Sequence, residues 1–149
     1  MSIRRCALMF ENVVSRSGQG SYEKWQDQIV QFRNSIIKNE LYATGPIFYK
    51  ISKMENDEYK YTIYVPVNEK LKINAKDKKD YEFTERFFIK DGLTMKDCGF
   101  EDDLEDTDRI LRECAEKHNL TLTEEFYHIS IDVYGEKIIQ TYAPIKEEE

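Results

Sequence analysis

The sequence predicts an α+β fold: a duplicated β-α-β-β unit forming an antiparallel sheet with two helices on one face. Three observations carry this. Apolar residues recur at steps of three and four in two segments, Tyr22 to Ile36 and Leu104 to His118. Short runs rich in Val, Ile, Tyr and Thr flank both segments and read as strands. The two halves also share motifs at one common offset, and a half of this size has too little core to stand alone.

Taken in order, Ile3 to Val14 holds Cys6-Ala7-Leu8-Met9-Phe10 and the β-branched pair Val13-Val14, and reads as a largely buried strand. Ser15 to Ser21, with two glycines, is expected to be a turn-rich connector whose last hydroxyl caps the first helix. Tyr22, Trp25, Ile29, Phe32 and Ile36 form that helix's apolar stripe, which ends near Asn39. Strands are expected over Ile47 to Met54 and Tyr59 to Val67, around a turn at Glu55 to Glu58. The lysine-rich stretch that follows is an exposed connector. Tyr81 to Lys90 and Leu93 to Cys98 are expected to be strands joined by a tight hairpin at Asp91-Gly92. Asp102 or Asp103 caps a second helix with Leu104, Thr107, Leu111, Cys114 and His118 on its stripe. Leu122 to Val133 and Lys137 to Ile145 close the chain as a hairpin around Tyr134-Gly135.

Tyr64-Val65-Pro66-Val67 and Tyr142-Ala143-Pro144-Ile145 stand 78 residues apart. The same shift lays Phe48-Tyr49 on Phe126-Tyr127 and Phe32 on Ile110. The organisation is therefore one domain over 1–149, with a first copy over about 1–68, a connector over 69–80 and a second copy over about 81–146. Side chains alternate across a strand. Ile63 and Val65, with Thr141 and Ala143, are assigned to the helix side. Thr62, Tyr64, Gln140 and Tyr142 then project from the helix-free face. An aromatic face with a few polar groups suits a small-molecule or peptide cleft. The alternative is that these tyrosines simply decorate a half-buried sheet.

Composition narrows the function classes. The chain has 149 residues, 40% hydrophobic and 34% charged, with 6 Gly and 3 Pro, unlike a disordered or collagenous chain. No apolar run reaches the ~18 residues that a membrane helix needs, and the N-terminus does not read as a signal peptide. Cys6, Cys98 and Cys114 are odd in number and far apart, which suits a reducing cytoplasm better than a disulfide framework. A net charge of -7 disfavours a nucleic-acid partner.

The pattern Gly45-Pro-Ile-Phe-Tyr with Tyr61-Thr-Ile-Tyr-Val-Pro-Val67 is answered by Glu125-Phe-Tyr with Gln140-Thr-Tyr-Ala-Pro-Ile145. It resembles the GyrI-like (SOUL-type) effector-binding domain. The resemblance implies a duplicated unit that binds hydrophobic, often cationic compounds between its halves. Many members carry an acidic residue four positions before the last strand's proline. Gln140 stands there instead and offers no charge to a buried cation. No helix-turn-helix precedes the motifs, so the reading is not that of a one-chain transcription regulator. More closely, the single-domain size, Gly45-Pro46 and Val65-Pro66-Val67 are similar to a small Firmicutes family of stand-alone versions of this fold. Its genes lie near LXG toxins exported by the type VII secretion system. That resemblance implies a cytoplasmic accessory factor, chaperone or immunity-like partner.

Catalytic chemistry is hard to find. His118 falls at a helix end and His128 in a strand, and neither has metal-ligand spacing. Cys6 and Cys114 read as small apolar residues. The acidic run Glu101 to Asp106 lacks the alternation of an EF-hand loop. Glu125 shares strand parity with Tyr127, Ile129 and Ile131. Buried, it is a binding carboxylate; at the wet end of the strand, it has no role. The expected protein is thus non-catalytic, without cofactor or metal. It engages a protein partner, such as a secreted toxin, or else holds a small apolar molecule on the face carrying Thr62, Tyr64, Gln140 and Tyr142, with Glu125 as a further candidate. Strand addition is one mode of partner binding, and a homodimer is compatible with it.

Overall fold

A computed structural model describes residues 3–73, 80–97 and 104–147. The fold is α+β with antiparallel strands. The elements run β1 (Ile3–Gly20), α1 (Tyr22–Lys38), β2 (Phe48–Lys53), a short 3-10 turn (Glu55–Asp57), β3 (Tyr59–Pro66), β4 (Tyr81–Asp97), α2 (Leu104–Lys117), β5 (Tyr127–Val133) and β6 (Glu136–Pro144). Contacts divide the chain into two units, Phe10–Phe87 and Met1–Met9 with Phe88–Glu149. The long strands β1 and β4 each contribute to both.

In the Phe10–Phe87 unit, β3 pairs with β1 on one side and β2 on the other. The apolar stripe of α1 lies across β3. Trp25 packs on Tyr61 and Ile63, while Phe32 and Ile36 pack on Val14, Val65 and Val67. Tyr22, placed on the same stripe by spacing, is exposed and meets Tyr59 edge-on. The Ser21 side chain caps α1 by accepting from the Lys24 amide. The helix ends on Glu40 with φ 60°, and the Leu41 amide donates to the Ile36 carbonyl. This left-handed stop turns Leu41 back onto the core.

In the other unit, β6 pairs with β4 and β5. Leu111 and Ala115 of α2 pack on Leu93, Met95, Leu122, Phe126 and Ala143. Asn119 (φ 57°) ends this helix, and the Leu120 amide donates to the Ala115 carbonyl. The expected hairpin at Tyr134-Gly135 forms, with positive φ at both residues and the Asp132 carboxylate accepting from the Gly135 amide. β5 begins at Tyr127 rather than at Leu122, which makes a single bridge to Ile145. The expected caps Asp102 and Asp103, and Cys98, lie outside the described residues.

Two glycine signals carry a different meaning from the one expected. Ser15 to Gly20 is not a connector but the end of β1, and Asp91-Gly92 is not a hairpin but the interior of β4. Gly18 lies opposite Tyr61, and a Cβ there would meet the tyrosine hydroxyl at 2.8 Å. A Cβ on Gly92 would drive into the Tyr142 ring. Both glycines make room for a ring lying on the strand backbone, a close approach that only a residue without a side chain permits. Asp91 is held in extended chain by bidentate hydrogen bonds from Arg5, the shortest at 2.6 Å. That pairing draws the Asp91 carboxyl below its ordinary range. The exposed-connector expectation also fails at Leu71, which packs against the α1 core.

Substituting Gly92→Ala should lower unfolding stability by about 1–3 kcal/mol, the usual cost of overpacking. The cost should shrink in a Tyr142→Leu background, and urea denaturation of the four variants measures both.

Candidate functional site

Strand alternation and the helix contacts together define the faces. Ile63 and Val65 face α1, and Ala143 faces α2, as their parity requires. Tyr64, with the opposite parity, joins an aromatic cluster on the helix-free side of the Phe10–Phe87 unit. Phe48 lies directly across from it on β2. The two rings stack at 4.8 Å with only 3° between their planes. Phe10 stacks on Phe48 at 4.7 Å, and Phe87 meets Phe48 and Tyr64 edge-on at 5.1 and 5.3 Å. Phe48 is fully buried at the centre, whereas Phe10, Tyr64 and Phe87 are half-buried. Stacked and edge-on pairs like these contribute about 0.5–1.5 kcal/mol each beyond the area they cover. The wall is therefore rigid while still presenting aromatic surface.

Thr62 lies one row along the same face, opposite Lys50 on β2 and Ser17 on β1. Its hydroxyl sits 2.9 Å from that of Ser17, which sets a hydroxyl pair beside the rings. Thr62 and Tyr64 are thus brought together as the alternation predicts.

Gln140 and Tyr142 belong to the other unit, where both side chains are engaged internally. Tyr142 has no exposed surface, and its hydroxyl donates to the Cys6 carbonyl at 2.6 Å. Burial holds its phenol pKa above the ordinary value. It is a packed core ring lying over Gly92, not a side chain lining an open face. The Gln140 amide donates to the Thr94 hydroxyl at 2.8 Å, which itself donates to the Thr141 carbonyl. Glu125 is exposed ahead of β5, the wet-end placement. Cys6, expected in the core, is exposed.

His128 comes closest to a perturbed functional group. Its Nδ1 lies 3.2 Å from the Thr141 hydroxyl, and burial pushes its pKa down to about 4. It is neutral at pH 7 and belongs to a satisfied polar pair. Among the described residues, no cluster of three or more His, Cys, Asp and Glu could hold a metal ion. No described helix is long and apolar enough to cross a membrane. Sequence reasoning missed Phe48 and Phe87 as partners of Tyr64, and Phe10 as the ring stacked behind Phe48. The available signal was the aromatic content of β4, with Tyr81, Phe83 and Phe87 at even spacing, but it reads equally well as core.

The depressed His128 pKa makes stability depend on pH. Between pH 6.5 and about 4 the unfolded chain takes up a proton that the folded chain refuses. This contribution is intact above pH 6.5 and is lost as pH falls to about 4, a total of ~3 kcal/mol. His128→Gln should flatten that part of the stability profile, read from urea midpoints across the window. Tyr142→Phe should cost about 1 kcal/mol at all neutral pH values by leaving the Cys6 carbonyl without its donor.

No curated protein matches the sequence significantly. Among solved structures, EcmrR in complex with DNA is similar at a TM-score of 0.74 and 15% identity, over 98% of this chain and 58% of that one. The chain thus spans less than two thirds of that protein. A protein described as a hydrolase from Listeria innocua is similar at 0.65 and 12% identity, over 97% and 91% of the two chains. SAV2435 bound to tetraphenylphosphonium is similar at 0.52 and 11%, over 98% and 94%. These likenesses establish a shared fold. The family described as a domain of unknown function, DUF5085, matches residues 9–149, and the chain belongs to it.

Proposed function

We propose that the protein is a non-catalytic binding protein whose aromatic face takes an apolar, ring-bearing small molecule. The observation that carries this is the Phe10–Phe48–Tyr64–Phe87 cluster with the Thr62–Ser17 hydroxyls at its side. Rings offer contact area at little entropic cost, and the hydroxyl pair can orient a polar substituent. A fold shared with a tetraphenylphosphonium-bound protein supports the same reading. His128 is neutral and engaged with Thr141, which supports a binding role over acid-base chemistry.

The reading includes an internal duplication of a β-α-β-β unit, with a first copy over about 1–68 and a second over about 81–146. Several corresponding contacts support it. The bridge Ala43–Val67 corresponds to Leu122–Ile145, and the bond from the Thr44 amide to the Pro66 carbonyl corresponds to that from Thr123 to Pro144. The left-handed helix ends at Glu40 and Asn119 correspond as well. Equivalence runs at an offset of 79 as far as the second strand of each copy. It falls to 78 in the third, because the intervening turn is one residue shorter, so Phe48 matches Tyr127 and not the Phe126 expected from a single shift of 78.

A second reading, engagement of a protein partner such as a secreted toxin by a cytoplasmic accessory factor or chaperone, draws on a different observation. Val30, Ile37 and Tyr42 are all more than half exposed on or just after α1.

Thermal unfolding against a panel of neutral and cationic ring compounds, with tetraphenylphosphonium among them, separates the two. Saturating ligand at 100 times its dissociation constant should add about 2.7 kcal/mol of stability. Tyr64→Ala and Phe87→Ala should abolish the gain while Ile37→Ser retains it. A flat response across the panel, with a partner captured by the wild type and lost in Ile37→Ser, would overturn the first reading in favour of the second.

A further inference from the structure

The helix side of the Phe10–Phe87 unit holds a separate cavity. It has a volume of about 430 Å³ and opens beside the C-terminal half of α1. Its floor is apolar. Phe32 and Ile36 come from α1, Val14 from β1 and Tyr81 from the start of β4. The Phe32 and Tyr81 rings meet at 5.9 Å and form one corner. Arg16 is held on Tyr81, its guanidinium 5.4 Å from the ring centroid and its Nη1 donating to the hydroxyl at 3.3 Å. That contact fixes the tyrosine at the edge of the cavity. Leu71 and Ile73 form a side wall, both half-buried.

The lip is charged in both senses. Glu69 and Lys72 line it and are exposed. Among the described residues neither forms an ion pair, whereas neighbouring Lys70 is tied to Glu85 at 2.7 Å. Asn39, the C-cap of α1, lies at the same mouth, where the helix's partial negative charge favours a cation. An apolar pocket of this size with few polar groups at its opening has the make-up of a small-molecule site. A ligand bearing one charge would satisfy one side of this lip and oppose the other.

We propose that this cavity binds a zwitterionic amino acid with a bulky apolar side chain. The side chain lies on the Phe32–Tyr81 floor, the carboxylate meets Lys72, and the ammonium meets Glu69 at the α1 end. The site is distinct from the aromatic face and does not depend on ligand binding there.

The methyl groups of Val14, Ile36, Leu41, Leu71 and Ile73 give direct reporters in an NMR titration with L-tryptophan. The expected result is a saturable shift of these methyls while Leu111 and Ile129, in the other unit, stay unmoved. Indole-3-propionate lacks the ammonium and tryptamine lacks the carboxylate. Each should bind about two- to fivefold more weakly, as expected for exposed ion pairs. Lys72→Gln should erase the preference for tryptophan over tryptamine, and Glu69→Gln its preference over indole-3-propionate. Both are exposed substitutions that leave the core intact. Absence of a saturable shift at millimolar tryptophan, or equal binding of all three compounds, would overturn the proposal.

Discussion

Strand β3 can offer its helix only every second residue, and most of what surrounds it follows from that alternation. Tyr61, Ile63 and Val65 face α1 and hold the Phe10–Phe87 unit together through Trp25, Phe32 and Ile36. Thr62 and Tyr64 are left for the opposite face, whatever their chemistry. A shift of one residue in register would exchange the two sets, burying a threonine against tryptophan and exposing isoleucine and valine. The core therefore fixes which side chains are available for binding. Strand β6 works under the same rule, with Ala143 committed to α2 and Gln140 and Tyr142 turned the other way. There, however, the second face is itself packed, and the outward residues are consumed by internal hydrogen bonds.

Much of the fold was legible in the chain. Both helices, the Ser21 cap, the β2–β3 and β5–β6 hairpins and the helix-facing parity follow from apolar spacing and turn chemistry. The long strands were not legible, and one physical reason covers both. Gly18 and Gly92 look like turn signals because glycine tolerates positive φ, yet here they are flat places on which tyrosine rings rest. The partner ring is distant in sequence, at Tyr61 in one case and Tyr142 in the other, so no local window distinguishes a turn from a platform. The left-handed Asn12, φ 54°, inside β1 is a related irregularity, and next to it Val13, Val14 and Ser15 are buried in succession.

The candidate site was half legible for a similar reason. Parity singles out Tyr64 and Thr62, but it does not reveal that Phe48 and Phe87 brace the tyrosine from two directions. Nor does it separate Tyr64 from Tyr142, two tyrosines in matching motifs with opposite fates. One remains half-buried beside other rings. The other lies over a glycine, spending its hydroxyl on a backbone carbonyl. Glu125 shows the limit of parity from the other direction, since it precedes the strand whose alternation was used to place it.

The two units also differ in how they draw on the chain. Phe10–Phe87 is one continuous stretch, whereas the other unit joins Met1–Met9 to Phe88–Glu149. During synthesis from the N-terminus, every residue of the continuous unit emerges from the ribosome before the bulk of the other exists. Residues 3–9 must then wait for partners within their own unit, first Asp91, which takes Arg5, and later Tyr142, which grips the Cys6 carbonyl. Completion of the discontinuous unit therefore follows synthesis of the continuous one, and residues 3–9 are the stretch that waits longest for the rest of its unit.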